Sequence, residues 1–275
     1  MSALAGLRIG FIGAGAMAEA LAGGLREAGV EGAALRVADP DATRRKRLEE
    51  KLGAVAAPDN AGLVSDCDVV VLAVKPGVVP EVLHGLGDCA DRARPLWISI
   101  AAGVRIARLE AGLGAGARVV RAMPNTPALV GAGATAICGG AATGPEDLDR
   151  ARALFLSVGR CWNAPAEALL DAVTGLSGSG PAYVFVFLEA LADAGVRVGL
   201  PRDAAYELAG QTVYGAAKLA LEDGRPPAAL KDQVTSPGGT TIAGLERLEA
   251  GGLRAAVYEA VEAATRRSRE LAGDD

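Results

Sequence analysis

The chain has 275 residues, 51% of them hydrophobic, with 28 basic and 33 acidic residues interspersed to a net charge of −5. That length suffices for one large domain or two ordinary ones with real cores, and the mixed charge excludes a nucleic-acid-binding stripe or a polybasic membrane patch. No apolar run approaches the ~18 residues of a membrane span, and the first residues lack the basic and apolar regions of a signal peptide, so a cytoplasmic protein is expected. Cys67, Cys89, Cys138 and Cys161 are scattered, with no C-x-x-C pair and a single histidine, His84. This spacing points to neither a metal site nor a disulfide framework, and it leaves no Ser-His or Cys-His couple.

The stretch Leu7 to Ala18, L-R-I-G-F-I-G-A-G-A-M-A, reads as an apolar strand, a tight glycine turn and a helix from about Met17 to Ala28. In a nucleotide-binding βαβ unit the first glycine permits the turn, the second lets backbone approach a pyrophosphate, and a third small residue lets helix pack on strand. Gly13, Gly15 and Ala18 take those places, and the helix N-terminus behind them offers unpaired N–H groups to a diphosphate.

A second strand, Leu35 to Ala38, ends at Asp39-Pro40, with a helix from Ala42 to Leu52 after it. Asp39 stands where a carboxylate commonly takes the adenosine ribose hydroxyls, which favours NAD. Arg44, Arg45 and Arg47 just beyond are placed to meet a 2′-phosphate, so NADPH and NADH both remain open. A short strand near Ala54, a helix opened by Asp59-Asn60 and the run Val69 to Val74 continue the alternation. Continuous Val/Leu/Ala runs predict strands covered on both faces, as in parallel sheets. Three further strand ends follow: Lys75-Pro76-Gly77, Ala101-Ala102-Gly103 after the strand Trp97 to Ile100, and Pro124-Asn125-Thr126-Pro127 after Arg118 to Met123. Small and fixed residues there suit close approach of a flat ring, at the edge where α/β sheets bind ligands.

Beyond a helix from Pro145 to Ser157 and a short strand near Cys161, only helical periodicity remains from Glu167 onward, placing a boundary between residues 1–163 and 164–275. Leu253, Val257, Val261 and Ala264 form one apolar face and Leu188, Leu191 and Gly195 another, which predicts packing against a partner subunit. Two segments here suggest chemistry. Thr174 to Tyr183, T-G-L-S-G-S-G-P-A-Y, reads as a glycine-serine turn with Pro181 in the first turn of a helix. Val234 to Ile242, V-T-S-P-G-G-T-T-I, leads into a helix from Ala243 to Glu249. Gly238 and Gly239 leave backbone N–H groups accessible, and Ser236, Thr240 and Thr241 add hydroxyls, a nest suited to a carboxylate or phosphate.

Taken together, F-I-G-A-G-A-M-A (11 to 18), V-L-A-V-K-P (71 to 76), I-S-I-A-A-G-V (98 to 104), R-A-M-P-N-T-P-A-L (121 to 129), D-A-V-T-G-L-S-G-S-G-P-A-Y (171 to 183) and L-K-D-Q-V-T-S-P-G-G-T-T-I-A-G-L (230 to 245) resemble the pyrroline-5-carboxylate reductase family. The resemblance runs essentially end to end, and the last two blocks are the most specific. It implies an α/β fold with a Rossmann-like N-terminal dinucleotide-binding domain and an all-helical C-terminal domain that makes a homodimer or a ring of dimers. It implies reduction of a cyclic imine by NADPH, less often NADH. By the same resemblance Gly13, Ala14, Gly15, Ala16, Met17 and Ala18 hold the diphosphate and Asn60 the adenosine side. Ala73, Val74, Lys75, Pro76, Ala101, Ala102 and Gly103 line the nicotinamide half, and Asn125, with Asp39 and Arg44 at the ribose, completes the cofactor set. Ser236, Gly239, Thr240 and Thr241 hold the substrate carboxylate, Thr241 is the catalytic candidate near the ring nitrogen, and Glu167 lies on the proline side. Three positions depart from the family pattern: Ala16 replaces the usual asparagine, Asp39 a serine or threonine, and Gln233 an asparagine or methionine.

Two other readings compete. A 3-hydroxyacid dehydrogenase carries G-x-x-G-x-G-x-x-x-K, and Gly175, Gly178 and Gly180 fit, but Val184 occupies the lysine position and an apolar side chain cannot transfer that proton. A non-catalytic NADPH-binding sensor on the same fold has no need of the second anion nest.

Overall fold

The computed structural model describes residues 2–87, 89 and 92–273. By its contacts the chain divides into two compact units, residues 1–179 with 262–275, and residues 180–261. The change of composition at residue 164 therefore does not coincide with the structural division. The helical segment from 164 to 179 and the last turns of the chain belong to the first unit.

In that first unit the order is β1 (Ile9–Ile12), α1 (Ala16–Glu27), β2 (Leu35–Ala38), α2 (Ala42–Leu52), β3 (Val55–Ala56), α3 (Asn60–Asp66), β4 (Val69–Leu72), α4 (Val79–Gly85), β5 (Leu96–Ser99), α5 (Ile106–Leu113), β6 (Arg118–Met123), β7 (Gly133–Gly139), α6 (Pro145–Leu156), β8 (Gly159–Asn163) and α7 (Leu169–Val173). The strands form one sheet in the order β3-β2-β1-β4-β5-β6-β7-β8. Every residue of β1, β4 and β5 is buried, because helices cover both faces as the continuous apolar runs predict. Side chains alternate between two cores: Phe11, Val71 and Ile98 face one, with α1 and α6, and Leu72 and Trp97 face the other, with α3, α4 and α5. At Gly10 a Cβ would come within 2.4 Å of Leu63, so α3 lies directly on β1.

Strand β7 has no counterpart in the predicted elements, and it runs antiparallel to β6, while β8 runs parallel to β7. The sheet is therefore mixed, where parallel pairing was expected. The cause is the connection: a parallel crossover needs about a dozen residues or more, usually with a helix, whereas the short link between Met123 and Gly133 holds only a 3₁₀ turn, Thr126–Val130, that reverses the chain. Glycines and alanines in G-A-T-A-I-C-G hide the strand from propensity.

The predicted glycine-serine turn is instead a π-helical turn, Thr174–Gly178, between α7 and α8. Its Thr174 and Ser177 hydroxyls donate back to the Leu170 and Val173 carbonyls. Pro181 does lie in the first turn of α8. The run Leu169–Arg197 is long and apolar enough, by length and composition alone, to cross a membrane.

The second unit holds α8 (Gly180–Arg197), α9 (Arg202–Asp223), α10 (Pro227–Gln233), α11 (Thr240–Ala250) and the beginning of α12 (Leu253–Ala272). Its α8 and α9 pack together along a seam of small residues, where a Cβ on Gly195 would meet Ala205 at 3.1 Å. Ala192, Ala205 and Ala209 are the buried residues of this unit. Three alanines bury far too little apolar area to offset the ordering of some eighty residues, at about 1–2 kcal/mol of backbone entropy each. Meanwhile Phe185, Val186, Tyr206, Tyr214, Leu221, Val257 and Tyr258 are exposed. The predicted face through Leu253 and Val257 is thus uncovered within the chain, as expected of a subunit contact.

Candidate active site

Parallel pairing brings the ends of β2, β1, β4, β5 and β6 to one edge of the sheet. The loops there are tied to one another through backbone bonds: Gly13 N–H donates to Ala38 O at 2.8 Å, Ala73 N–H to Ile12 O at 2.8 Å, and Ile100 N–H to Leu72 O at 3.2 Å. Gly13, Asp39, Ala73 and Ala101 are thereby brought together.

Gly13 has φ 97, and a Cβ there would lie 2.6 Å from Ala73 O. Both conformation and space require glycine. Gly15 is the N-cap of α1, with no side-chain capping bond and open space where a Cβ would stand. The first amides of a twelve-residue helix thus have no side-chain partner, and an incoming diphosphate can approach this stretch of backbone. The fit to a dinucleotide is good.

Asp39 has two backbone partners within the chain. Its Oδ2 accepts the Ala14 N–H at 2.7 Å and its Oδ1 the Asp41 N–H at 2.8 Å, and its side chain is only 6% exposed. Oδ2 thus braces the glycine turn and Oδ1 the chain's entry into α2, with one lone pair left on each oxygen. The neighbouring arginines are sorted by their partners. Arg45 donates to the Asp39 carbonyl, Arg47 pairs with Glu19 of α1 at 2.8 Å, and Arg44 stands half-exposed, 4.0 Å from Asp39 Oδ2 and 3.4 Å from Asp41. Asp41 caps α2 through the Thr43 and Arg44 amides, which holds its carboxyl below the usual carboxylate range.

Asn60 opens α3, whose cap is Asp59. Ala73 and Val74 are half-buried and Lys75 and Pro76 exposed at the end of β4, whereas Ala101 is buried and Ala102 exposed after β5. The methyl group of Ala101 faces the core, so of that trio Ala102 and the backbone of Gly103 are the parts presented outward. Asn125 is likewise committed: its Nδ2 donates to Ser177 O at 2.9 Å, in the π-helical turn, and its Oδ1 accepts the Ala134 N–H at 2.8 Å. Its amide is a staple between β6, β7 and that turn, which leaves one Nδ2 hydrogen and one Oδ1 lone pair for any further contact.

Glu167 too has partners of its own. Its Oε1 accepts the Ile106 N–H and a guanidinium N–H of Arg121, both at 2.8 Å. Arg121 is 2% exposed, and a buried cation of this kind persists only when paired. The expected substrate contact of Glu167 is therefore confined to what its other oxygen can reach.

In the second unit, the helix predicted from Ala243 begins earlier. Thr240 and Thr241 are the first two residues of α11, Gly239 is its N-cap, and no side chain caps it. Gly238, at φ 66, turns the chain into the helix, and Gly239 N–H bonds back to Ser236 O at 3.1 Å. A Cβ at Gly239 would fall 2.3 Å from Ser236 Oγ, so only glycine lets that hydroxyl reach over the helix start. Ser236 and Thr240 are exposed and Thr241 half-buried. This is a concave set of amides and hydroxyls with no carboxylate among them, which suits an anion.

Four residues with a bearing on these loops, Arg105, Arg121, Asp171 and Ser268, were not among the candidates. The i,i+4 spacing of two carboxylates, Glu167 and Asp171, was the available signal. Their arginine partners lie 46 and 66 residues away in sequence and are invisible to local pattern.

Comparison with known proteins supplies the lineage. A family model described as "Pyrroline-5-carboxylate reductase dimerisation" matches residues 167–271, the segment with the uncovered apolar faces. One described as "NADP oxidoreductase coenzyme F420-dependent" matches residues 8–103. The chain is 49% identical over 266 residues to the pyrroline-5-carboxylate reductase of Synechocystis sp., covering 96% of this chain and 98% of that one. It is 43% identical to the Escherichia coli enzyme, with the same coverages. Among solved structures, the pyrroline-5-carboxylate reductase of Coxiella burnetii superposes with a TM-score of 0.92 at 38% identity, covering 96% of this chain and 98% of that one. The Plasmodium falciparum pyrroline carboxylate reductase, solved with NADP bound, gives 0.85 at 34% identity, covering 97% and 98%. With near-complete coverage of relatives at this identity, the chain belongs to the pyrroline-5-carboxylate reductase family.

Proposed function

We propose that this protein reduces 1-pyrroline-5-carboxylate to L-proline with NADPH, as a cytoplasmic homodimer. The observation that carries this reading is the presence, in one chain matched end to end by named reductases, of two anion-binding helix starts, the glycine turn before α1 and the S-P-G-G-T-T turn before α11. One serves a diphosphate and the other a carboxylate. Larger rings of dimers are compatible with the uncovered faces of the second unit.

The bound dinucleotide supplies the hydride. The chain's own residues bind and orient. Amides from Gly13 to Ala18 take the diphosphate, and Arg44, the half-exposed guanidinium beside Asp39, meets the 2′-phosphate. The amides of Gly239 to Thr241, with the Ser236 and Thr240 hydroxyls, take the substrate carboxylate. The Thr241 hydroxyl donates a hydrogen bond to the ring nitrogen as it gains a lone pair in becoming an amine. A protonated imine is already electrophilic, so orientation outweighs strong base catalysis, and a chain whose only histidine is exposed on α4 is suited to the task. The absence of a lysine at Val184 separates this chemistry from that of 3-hydroxyacid dehydrogenases.

The test is the near-ultraviolet absorbance of the reduced nicotinamide, followed with NADPH and with NADH on adding pyrroline-5-carboxylate. Rapid oxidation dependent on the imine is the expected result. Tight NADPH binding without turnover would replace this reading with another imine substrate or a sensor.

A further inference from the structure

The loop Ala101–Gly103 is held by groups to which the proposed chemistry gives no part. Two residues beyond it, Arg105 is the N-cap of α5, and its Nη2 donates to Asp171 Oδ2 at 2.8 Å. The other oxygen of Asp171 accepts the hydroxyl of Ser268, on α12, at 2.7 Å. Asp171 is 1% exposed and Ser268 is buried. Four residues earlier, in the turn that leads into α7, Glu167 accepts the Ile106 N–H, so the segment 167–171 grips both the end of the loop and the start of α5. The end of α12 lies close as well: a Cβ on Gly103 would be 3.8 Å from Leu271 O and 3.9 Å from Ala272 N. All of these residues belong to the first unit.

We infer that Asp171 is a positioning residue for the reductase reaction, bridging Arg105 and Ser268 so that the Ala101–Gly103 loop is fixed where the nicotinamide half of the dinucleotide must rest. The inference depends on the reading above that this loop lines the nicotinamide half. A buried carboxylate is stable only with both oxygens satisfied, and here the two partners arrive from the loop and from the C-terminal helix. Loss of either partner frees the loop, and a displacement of about 1 Å at a reacting pair can cost on the order of 10²-fold in rate.

The experiment uses the full-length enzyme and the variants Asp171→Asn, Ser268→Ala, Arg105→Gln, Arg105→Lys and Ala102→Trp. For each, kcat, the KM for pyrroline-5-carboxylate, the fluorescence of bound NADPH and the thermal midpoint are measured. Asp171→Asn and Arg105→Gln are expected to lower kcat about tenfold or more and to alter the bound-nicotinamide fluorescence, with the KM for the imine within about twofold of the parent. Arg105→Lys, which keeps the cation, recovers part of the loss. Ser268→Ala leaves the ion pair in place and gives a smaller change of the same kind, and it carries the test if Asp171→Asn does not fold. Ala102→Trp crowds the loop itself and must weaken NADPH binding. If it does so while the Asp171 and Ser268 variants lose only thermal stability, with kcat and fluorescence at parental values, Asp171 is merely structural and the inference fails. If Ala102→Trp leaves NADPH binding untouched, the loop is not at the cofactor and the reading beneath the inference falls with it.

Discussion

The Asp39→Asn variant distinguishes a carboxylate that reads the ribose from one that braces the glycine turn. Asp39 accepts the Ala14 and Asp41 amides at 2.7 and 2.8 Å. Asparagine retains one carbonyl oxygen but turns an amino group toward the second N–H, so one bond to a charged acceptor is lost and two donors face each other. A bond to a charged group contributes about 1.5–3 kcal/mol, and a buried donor left without a partner costs on the order of 1–3 kcal/mol. With relaxation at the half-exposed Asp41 end, the expected destabilisation is about 2–4 kcal/mol. For a unit of this size each kcal/mol lowers the thermal midpoint by about 2–4 °C, so a fall of roughly 5–15 °C is expected by calorimetry. Because the Ala14 amide loses its tether, affinity for NADPH and NADH should weaken together, with their ratio changed by less than about threefold. A variant of undiminished stability whose preference moves toward NADPH by more than about tenfold, or about 1.4 kcal/mol, would refute the bracing role and return Asp39 to the ribose.

Thr241→Ala should lower kcat by roughly 10- to 100-fold and raise the KM for the imine, by steady-state kinetics; unchanged values for both would exclude the assigned hydrogen bond. Phe185→Glu places a charge on the face of α8 where the parent ring is 64% exposed within the chain. Burial of such a ring contributes about 1.5–3 kcal/mol, so sedimentation equilibrium should show dimer dissociation strengthened at least tenfold, and an unaffected dimer would place the contact elsewhere. Burial pushes the Cys67 thiol up to about 12 and the Cys161 thiol to about 11, and it raises that of Cys138. Since the thiolate is the reacting form, alkylation of the folded enzyme near pH 8.5 should spare Cys67, Cys138 and Cys161, and labelling of Cys67 at the rate seen in the unfolded chain would contradict the packing. Asp66 is held below the usual carboxylate range by Arg36 first and then Arg8. A depressed folded value gives stability that is present above about pH 4, the ordinary value, and is lost as pH falls below it. Asp66→Asn should therefore lower the thermal midpoint at neutral pH and flatten its decline in acid; an acid limb identical to the parent's would show the pair contributes nothing.

The two glycine-rich helix starts were legible because their chemistry is local. Gly13 must take a conformation and a closeness that only glycine allows, and Gly238-Gly239 followed by two threonines announces an open helix start whatever surrounds it. Strands β1, β4 and β5 were legible for a similar reason, as uninterrupted apolar runs between helices of 3.6-residue period. Strand β7 was not, since its small residues carry no β signal and its direction follows from the short reversal before it. The π-helical turn at Thr174–Gly178 was read as a loop because glycine and serine favour loops in isolation, while packing and the Asn125 bond to Ser177 O decide otherwise.

The polar candidates divide along the same line. Residue type and position nominated Asp39 and Asn125, and the family resemblance Glu167, yet a side chain's task depends on which groups reach it first, and those groups come from distant parts of the chain: the amide of Ala14, the carbonyl of Ser177 and the guanidinium of Arg121. By itself the sequence determined the alternation of strand and helix, the two glycine-rich helix starts and the apolar helical faces, because each is written in a few neighbouring residues. Only the tertiary structure decided which carboxylates and amides are already satisfied and which are left to meet a ligand, because hydrogen-bonding capacity is consumed through space and not along the chain.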